Sequence, residues 1–327
     1  MRLTLIRRVV LSLLAVPGLL AAQESAPTPA PTPAPTPAAV TADNPLQALK
    51  EPVLFRPIEA NVIINLPSVE VPPEKTLTFL VTHRFVQNVQ EGNINNFFTL
   101  DSGNSWGFGL WYAPIKNLNI GLYRSSDVNT YEASAQYQIV GGASGFGASL
   151  RAGEDWRTLP GVASPRSSFF AQAVLAYSIG PYVRLTAVPT FIQQVNGSAV
   201  TEGGAFFVPQ PIPGDQSCVF VPDQGPNPYR CSGLYKNVFN VPIAASIAIT
   251  HSITIHGEVY PRLSKVNSDG VGWDVTVEKS LLRHRFAFFA GNQRQTTVDE
   301  YMQAVPFGRS PKNIYLGFNL FRAWNFK

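Results

Sequence analysis

The feature that most constrains this sequence is a recurrent two-residue alternation of apolar and polar side chains from about residue 75 to the C-terminus. In the segment 130–139 every odd position is Tyr, Ala or Ile, and every even position is Thr, Glu, Ser or Gln. Successive side chains of a strand point to opposite faces, so this pattern predicts strands with one apolar and one polar face. The region offers no helix-like segment that would cover the apolar faces.

Twelve such segments follow one another, each eight to thirteen residues long. A tilted strand needs about 9–11 residues to cross a bilayer. The predicted strands span residues 75–87, 104–112, 117–124, 129–139, 146–153, 167–178, 182–192, 237–249, 252–261, 271–278, 284–292 and 313–324.

Short turns and longer connections alternate along this series. The longest connections are 88–103, 154–166, 193–236 and 293–312. Short periplasmic turns, long outer loops and an even strand number are typical of bacterial outer-membrane barrels. We therefore predict an all-β protein with a single transmembrane antiparallel β-barrel of about twelve strands over residues 75–327, in the bacterial outer membrane, with both termini in the periplasm. A soluble β-sandwich is the alternative, but it needs a second apolar layer.

The N-terminus predicts export. Three Arg precede the apolar run Val9–Leu20, which ends in two Ala, and this layout is typical of a signal peptide over residues 1–22. The alternative is an apolar helix of the folded domain. Removing these residues lowers the Lys and Arg count from 25 to 22 against 21 acids, so the net charge falls from +4 to +1. Nucleic acid is therefore not an expected partner.

A Pro/Ala/Thr-rich linker is predicted over residues 23–50, with a Pro-Thr-Pro-Ala repeat from Pro27 to Ala38. Such a segment is expected to be disordered and extended, as a spacer or as a ligand of a proline-recognising partner. A transition segment, 51–74, follows. The sequence leaves open whether it lies in the periplasm or enters the barrel.

The polar face of the strands is predicted to line the lumen, because Arg on the lipid face costs about 2–4 kcal/mol near mid-bilayer. This interior serves either a passive or selective pore for small solutes, or a sealed barrel with a structural or partner-anchoring role. Twelve strands lie between about eight, which side chains fill, and about sixteen, which leave a channel. The charged lumen candidates are Arg84, Glu132, Arg151, Arg184, His256, Glu258, Asp274, Glu278 and Arg285.

A third hypothesis is a lipid hydrolase at the outer rim. His83 has outward parity near a rim, with Ser102 and Ser105 on the adjoining loop and strand, but an interfacial anchor explains His83 as well. We assign no catalytic residue and expect the protein not to be an enzyme. The spacing of His and Cys matches no zinc or haem pattern, so neither metal nor cofactor is expected.

Two Cys residues, Cys218 and Cys231, lie in the longest loop. In an exported protein this pair predicts a disulfide, worth roughly 3 kcal/mol for so short a loop. The loop would then fold inward as a constriction or stand outward as a receptor.

The final strand keeps Phe318, Leu320, Trp324 and Phe326 on one parity. An apolar last strand ending in an aromatic residue is expected to engage the outer-membrane assembly machinery, and outer-membrane lipid is the expected surrounding. A periplasmic or surface protein partner stays possible. Aromatic residues near strand ends, among them Trp111 and Tyr315, are expected to form interfacial girdles.

Several short motifs resemble a family of uncharacterised bacterial outer-membrane β-barrels, a domain of unknown function. They are Asn65–Leu77, His83–Phe85, Phe98–Gly103, Arg124–Ser126 and Gly317–Asn319. The resemblance runs from about residue 60 to the C-terminus, while the insert at 196–235 and the linker depart from it. It implies the barrel fold and the outer-membrane location, and it implies no activity.

Overall fold

The structure is a computed structural model in which one compact unit contains all described residues. The predicted signal peptide, the linker and residues 51–60 lie outside them. The described residues are 61–101, 103–126, 129–142, 145–158, 166–194, 206–208, 217–220, 229–232, 237–261, 263, 268–281, 283–302, 305–306 and 311–326.

Twelve antiparallel strands build the wall, as the alternation predicted. Two of them, β7 and β8, each consist of two parts. The strands are β1 Thr76–Phe85, β2 Asn104–Ile115, β3 Leu118–Ser125, β4 Thr130–Val140, β5 Phe146–Arg157, β6 Arg166–Ile179, β7 Val183–Ala187 with Thr190–Gln194, β8 Asn237–Asn240 with Ile243–Thr250, β9 Ile253–Tyr260, β10 Gly272–Leu281, β11 His284–Gly291 and β12 Tyr315–Asn325.

The sheet closes on itself, because β1 pairs with both β2 and β12. The two parts of β7 both pair with β6, and the two parts of β8 pair with those of β7. The interruptions fall at Val188–Pro189 and Val241–Pro242. Proline has no N–H to donate to a neighbouring strand, which explains a break at these positions. The prediction of a closed twelve-stranded barrel is confirmed.

The two ends of the barrel differ in their connections. At the short-turn end the connections have two to five residues, whereas at the long-loop end they reach 42 residues. The long-loop end also carries the small elements that are not strands of the wall. These are the 3-10 turns Val89–Glu91 and Ile94–Thr99, the helix α1 Val298–Tyr301, a three-stranded sheet of Phe206–Val208, Ser217–Phe220 and Tyr229–Ser232, and the pair Ser268–Gly270 with Val305–Pro306.

Side chains on the outer wall are apolar and exposed, and their chain neighbours are buried inside. Leu122 on β3 is 63% exposed, whereas Tyr123 beside it is 5% exposed. Phe288 and Phe289 on β11 show the same contrast at 59% and 1%. An apolar outer band of this kind is what a lipid-facing wall requires. Within the described residues, no helix is long and apolar enough to cross a bilayer.

The girdle expectation is wrong for two aromatic residues. Trp111 and Tyr315 are each 5% exposed and point into the barrel. Trp111 packs there with Leu80, Tyr123 and Phe321. Leu110 and Tyr112 share the parity of the bulky apolar residues at 106 and 108, whereas Trp111 shares that of Ser105 and the two glycines at 107 and 109. Parity over the whole strand therefore indicated the lumen side for Trp111.

Candidate functional site

The part of the transition segment that the structure describes lies inside the barrel. Residues 61–71, here called the lumen hairpin, fold back on themselves through an antiparallel bridge between Val62 and Pro67. The N–H of Ile63 donates to the Leu66 carbonyl at 2.7 Å, and that of Ser68 donates to the Asn61 carbonyl at 3.0 Å. Apart from Val62, every residue of the hairpin is buried.

The hairpin enters and leaves by the short-turn end. At its base, the Asn119 side chain donates to Asn61 at 2.9 Å, and Gln136 on β4 donates to the Ser68 carbonyl at 2.7 Å. Its tip, Ile64–Leu66, contacts the halves of β1, β9 and β10 nearest the long-loop end. Asn and Pro favour turns, and Asn65-Leu66-Pro67 supplies both at the reversal.

Glu258 on β9 binds the backbone of the tip. Its carboxylate accepts the N–H of Ile64 at 2.8 Å, that of Asn65 at 3.1 Å and that of Leu66 at 3.1 Å. The Tyr260 hydroxyl also donates to this carboxylate. Hydrogen bonds to an ionised group are about twice as strong as neutral ones. Glu258 is 1% exposed, so its charge depends on these donors.

The Asn65 side chain is bound at both of its polar atoms. Its amide nitrogen donates to Asp274 at 2.9 Å and to the Tyr260 hydroxyl at 3.2 Å. Its amide oxygen accepts from Arg84 at 3.1 Å. The wall therefore holds donors and acceptors that match one carboxamide.

Arg84 and Asn319 complete the tip site. Arg84 donates to the Asn319 side-chain oxygen at 2.8 Å, and the Asn319 amide donates to the Ile64 carbonyl at 3.0 Å. The guanidinium lies 4.1 Å from the centre of the Phe289 ring. Gly317 lies opposite Arg84, and a Cβ there would come within 2.9 Å of Arg84 Cδ. A glycine at this position thus leaves space for the Arg84 side chain.

An ion pair holds the base of the hairpin. Arg184 Nη1 on β7 lies 2.7 Å from Glu70 Oε1, and Arg184 also donates to the Gly142 carbonyl at 2.9 Å. Burial raises the pKa of the Glu70 carboxyl above 4.5, while the charge of Arg184 opposes that rise in the pKa. The base therefore contains a carboxylate whose ionisation is penalised in the bound hairpin.

All nine charged candidates lie in the lumen, and none is more than 8% exposed. Four of them form pairs within the wall, Arg151 with Glu132 and Arg285 with Glu278. Arg285 pairs with Glu278 on the neighbouring strand. Arg151 and Arg285 also stack on the rings of Phe170 and Phe321, at 5.0 and 5.1 Å from the ring centres.

The connection between β11 and β12 also folds into the barrel. Its residues 292–302, here called the inward loop, carry α1, which is wholly buried. The N–H of Asp299 donates to the Asp155 carboxylate on β5 at 2.9 Å. Asn240 on β8 donates to the Met302 carbonyl at 3.0 Å. The inward loop therefore lies in the long-loop half of the lumen against β5 and β8. The hairpin tip reaches the same half against β1, β9 and β10.

Little space remains between these two segments. A cavity of about 20 Å³ lies among residues that include Val62 of the hairpin, Trp111 and Glu132 of the wall, and Tyr301 of the inward loop. A single water molecule needs about 10–15 Å³ of such volume. The described hairpin and inward loop therefore pack closely around this cavity, which has room for about one water molecule.

His256 lies between a hydroxyl and a carboxylate. The Ser246 hydroxyl is 2.8 Å from its Nδ1, and Glu278 is 3.5 Å from its Nε2. Although Ser, His and Glu can form a nucleophilic set, Ser246 is 3% exposed and Glu278 is occupied by Arg285. The three residues are packed wall residues in this state. Among the described residues, no group of His, Cys, Asp and Glu is arranged to hold a metal ion.

Two of the rim residues considered for hydrolysis, His83 and Ser105, lie on opposite faces of the wall. The His83 ring stacks on Phe318 at 4.8 Å and meets the edge of Phe85 at 4.7 Å. Ser105 is 6% exposed and faces the lumen, on the side of the wall opposite His83. Ser102 lies outside the described residues. Within the described part of the rim, His83 is an aromatic packing residue.

The two Cys residues lie opposite each other in the small sheet at the long-loop end. Cys218 and Cys231 are register partners on antiparallel strands. Their side chains lie outside the described part of the structure, so the disulfide stays a prediction. The direction in which the 193–236 loop folds also stays a prediction.

Sequence reasoning missed Asn65, Tyr260 and the lumen aromatics. Tyr260 shares the parity of Glu258, and Phe170 shares that of Gln172, so strand parity would have found both. Asn65 belongs to no alternating segment, and its partners Glu258, Tyr260 and Asp274 are about 190–210 positions away in the chain. Only the turn composition around Pro67 pointed to a reversal there.

The fold and its lumen define a transmembrane β-barrel occluded by its own chain. The chain belongs to the family described as the membrane-bound β-barrel domain DUF5777, whose model matches residues 59–324. That match includes the lumen hairpin as well as the wall.

The three solved structures named next are distant in sequence. Outer-membrane phospholipase A from Escherichia coli is 8% identical, with 75% of this chain and 89% of that chain covered and a TM-score of 0.39. An outer-membrane channel from Pseudomonas putida F1 is 11% identical, with 78% and 97% covered and a TM-score of 0.42. CdiB from Acinetobacter baumannii is 13% identical, with 78% and 61% covered and a TM-score of 0.29. A comparison with curated proteins gives no match.

Proposed function

We propose that the protein is an outer-membrane channel for small polar solutes that rests closed, with the lumen hairpin as its plug. The observation that carries this proposal is the path of the hairpin, which enters and leaves through the short-turn end. Because β1 pairs directly with β12, the hairpin contributes no strand to the wall. It can leave without breaking the sheet.

The chemistry of the contact surface also supports a removable plug. The hairpin packs its apolar side chains Ile63, Ile64, Leu66 and Val69 in the lumen. It is also bound through hydrogen bonds and one ion pair to Glu258, Asp274, Arg84, Gln136 and Arg184. Water can replace these polar partners when the hairpin leaves. The remaining lumen would combine these polar groups with apolar side chains such as Phe170 and Phe289, and its polar part suits small hydrophilic solutes.

Deletion of residues 61–71 tests the proposal. The matched control is deletion of Pro27–Ala38, which removes a similar length of chain from the predicted linker. In planar bilayers we expect steady ohmic conductance from the hairpin deletion and rare openings from the control and the intact chain. A heat-modifiable band on unboiled gels verifies that each variant forms a barrel. A folded hairpin deletion that stays silent would reject the channel.

The alternative is a sealed barrel with a structural or partner-anchoring role. Its specific support is the inward loop, which lies beside the hairpin tip in the long-loop half of the lumen and whose Gln293, Gln295 and Thr297 are fully buried. If this loop is fixed, removing the hairpin leaves the barrel closed. The silent outcome of the deletion experiment therefore favours this alternative.

Three further features extend the proposal beyond the barrel. Export through a signal peptide over residues 1–22 would place the short turns and the Pro-rich linker in the periplasm, where the linker can meet a protein partner. The last strand, Tyr315–Asn325, would present the signal that the outer-membrane assembly machinery binds. A Cys218–Cys231 disulfide would brace the small sheet at the long-loop end.

A further inference from the structure

The wall site that holds the hairpin tip has the donor and acceptor pattern of a peptide receptor. We propose that Arg84, Glu258, Tyr260, Asp274 and Asn319 form a binding site for short peptides with a carboxamide side chain, and that the hairpin is its built-in occupant. This inference rests on the proposed function, because the site is accessible only after the hairpin withdraws.

The first argument is that the site recognises a peptide backbone through hydrogen bonds. Three successive N–H groups, from Ile64 to Leu66, converge on the single carboxylate of Glu258. The carbonyl of Ile64 accepts from the Asn319 amide at 3.0 Å. A ligand must therefore present a tight turn with consecutive N–H donors and an adjacent carbonyl. Peptides have this pattern, whereas simple ions and sugars do not.

The second argument is that the site forms hydrogen bonds to both polar atoms of one side chain, the carboxamide of Asn65. Asp274 and Tyr260 receive the Asn65 amide nitrogen, and Arg84 donates to the Asn65 amide oxygen. A site built to hydrogen-bond a polar group rejects an analogue without that group, because its own buried polar atoms are left unpaired. The arrangement selects Asn over a carboxylate, since Asp274 would repel the carboxylate.

The third argument concerns the charge that remains when the hairpin leaves. Glu258 and Asp274 are each 1% exposed, and Arg84 is fully buried beside them. The vacated site keeps two carboxyl groups, which can accept hydrogen bonds, beside one guanidinium. Arg84 Nε also lacks a hydrogen-bond partner among the described residues. The vacated site would attract N–H donors and keep one spare donor for a ligand carbonyl.

The test keeps the hairpin in place during folding and removes it afterwards. Pro73 and Glu74 are exposed between the hairpin and β1, so a protease recognition sequence can be inserted there. After cleavage and washing, a synthetic peptide with the sequence of residues 61–71 is labelled and its binding is measured by fluorescence anisotropy. Conductance is recorded on the same sample.

We expect the peptide to bind the cleaved barrel and to block its conductance. The same peptide with Asn65→Ala should bind at least about tenfold more weakly, given the strength of hydrogen bonds to charged groups. A Glu258→Gln wall should weaken the original peptide by about tenfold or more, whereas Glu132→Gln, which removes a carboxylate that pairs with Arg151, should not.

The outcomes separate the two proposals. A cleaved barrel that conducts but does not bind the peptide overturns the peptide site and leaves the channel intact. Binding without conductance overturns the channel and supports the site. Equal affinity for the Asn65→Ala peptide, or for the Glu258→Gln wall, overturns the assignment of the site to these residues. If the insertion prevents folding, the same anisotropy measurement on the 61–71 deletion gives the answer.

Discussion

The tip and the base of the lumen hairpin are held by different kinds of contact. At the tip, Glu258 binds three backbone N–H groups, and the Asn65 side chain is held at both polar atoms. At the base, the contacts are single hydrogen bonds from Asn119 and Gln136 and an ion pair to Arg184. We therefore expect the tip to contribute most of the free energy of these polar contacts. The base, which contains the ion pair between Glu70 and Arg184, makes hairpin binding depend on pH.

The largest expected effect comes from Glu258→Gln. The substitution removes the charge on which three N–H groups converge, at a cost of about 3 kcal/mol to hairpin binding. That corresponds to roughly a hundredfold rise in the ratio of open to closed channels. Single-channel recording measures this ratio. Glu132→Gln is the matched control. An equal effect of the two variants would mean that the contact between Glu258 and the hairpin tip does not specifically stabilise the closed state.

Asn65→Ala should have a smaller effect than Glu258→Gln. It leaves Asp274 and Arg84 without their shared partner, and we expect a loss of about 2 kcal/mol, or roughly thirtyfold in the open ratio. Asn61→Ala at the base loses one neutral hydrogen bond, worth about 1 kcal/mol. Single-channel recording of each variant measures its open ratio. The comparison of tip and base breaks down if Asn61→Ala releases the hairpin more readily than Asn65→Ala.

The smallest expected effect is a pH dependence from Glu70. Burial raises the pKa of its carboxyl in the bound hairpin, and withdrawal returns the pKa to about 4.5. The closed state therefore holds more protons between these two pKa values. A rise in pH through that window weakens hairpin binding, and a fall restores it.

Glu70→Gln, which keeps the shape of the side chain, should abolish this dependence and change the open ratio less than about tenfold at neutral pH. The measurement is the open ratio of both proteins from about pH 4 to pH 7. A dependence of the opposite sign in the intact chain would show that the ion pair to Arg184 outweighs burial.

The strands of the wall were predictable from the sequence, whereas the two segments inside the lumen, the hairpin and the inward loop, were not. Alternation is a local signal, so segments such as 130–139 gave both the strand and the face on which Glu132 and Gln136 lie. The hairpin has no period, and its burial arises from contacts with wall residues 19 to 255 positions away. Parity placed Glu258 and Asp274 in the lumen, but a local pattern gave no sign of Asn65, which binds both.

The most direct test of the account is to lock the hairpin in place and release it. In the native chain the side-chain nitrogen of Asn119 lies 2.9 Å from the side-chain oxygen of Asn61. The substitutions Asn61→Cys and Asn119→Cys, made in a Cys218→Ser, Cys231→Ser background, place two thiols there that a short reducible cross-linker can join. The account predicts that openings in planar bilayers disappear on cross-linking and return on reduction. Openings that persist unchanged with the hairpin locked would contradict it.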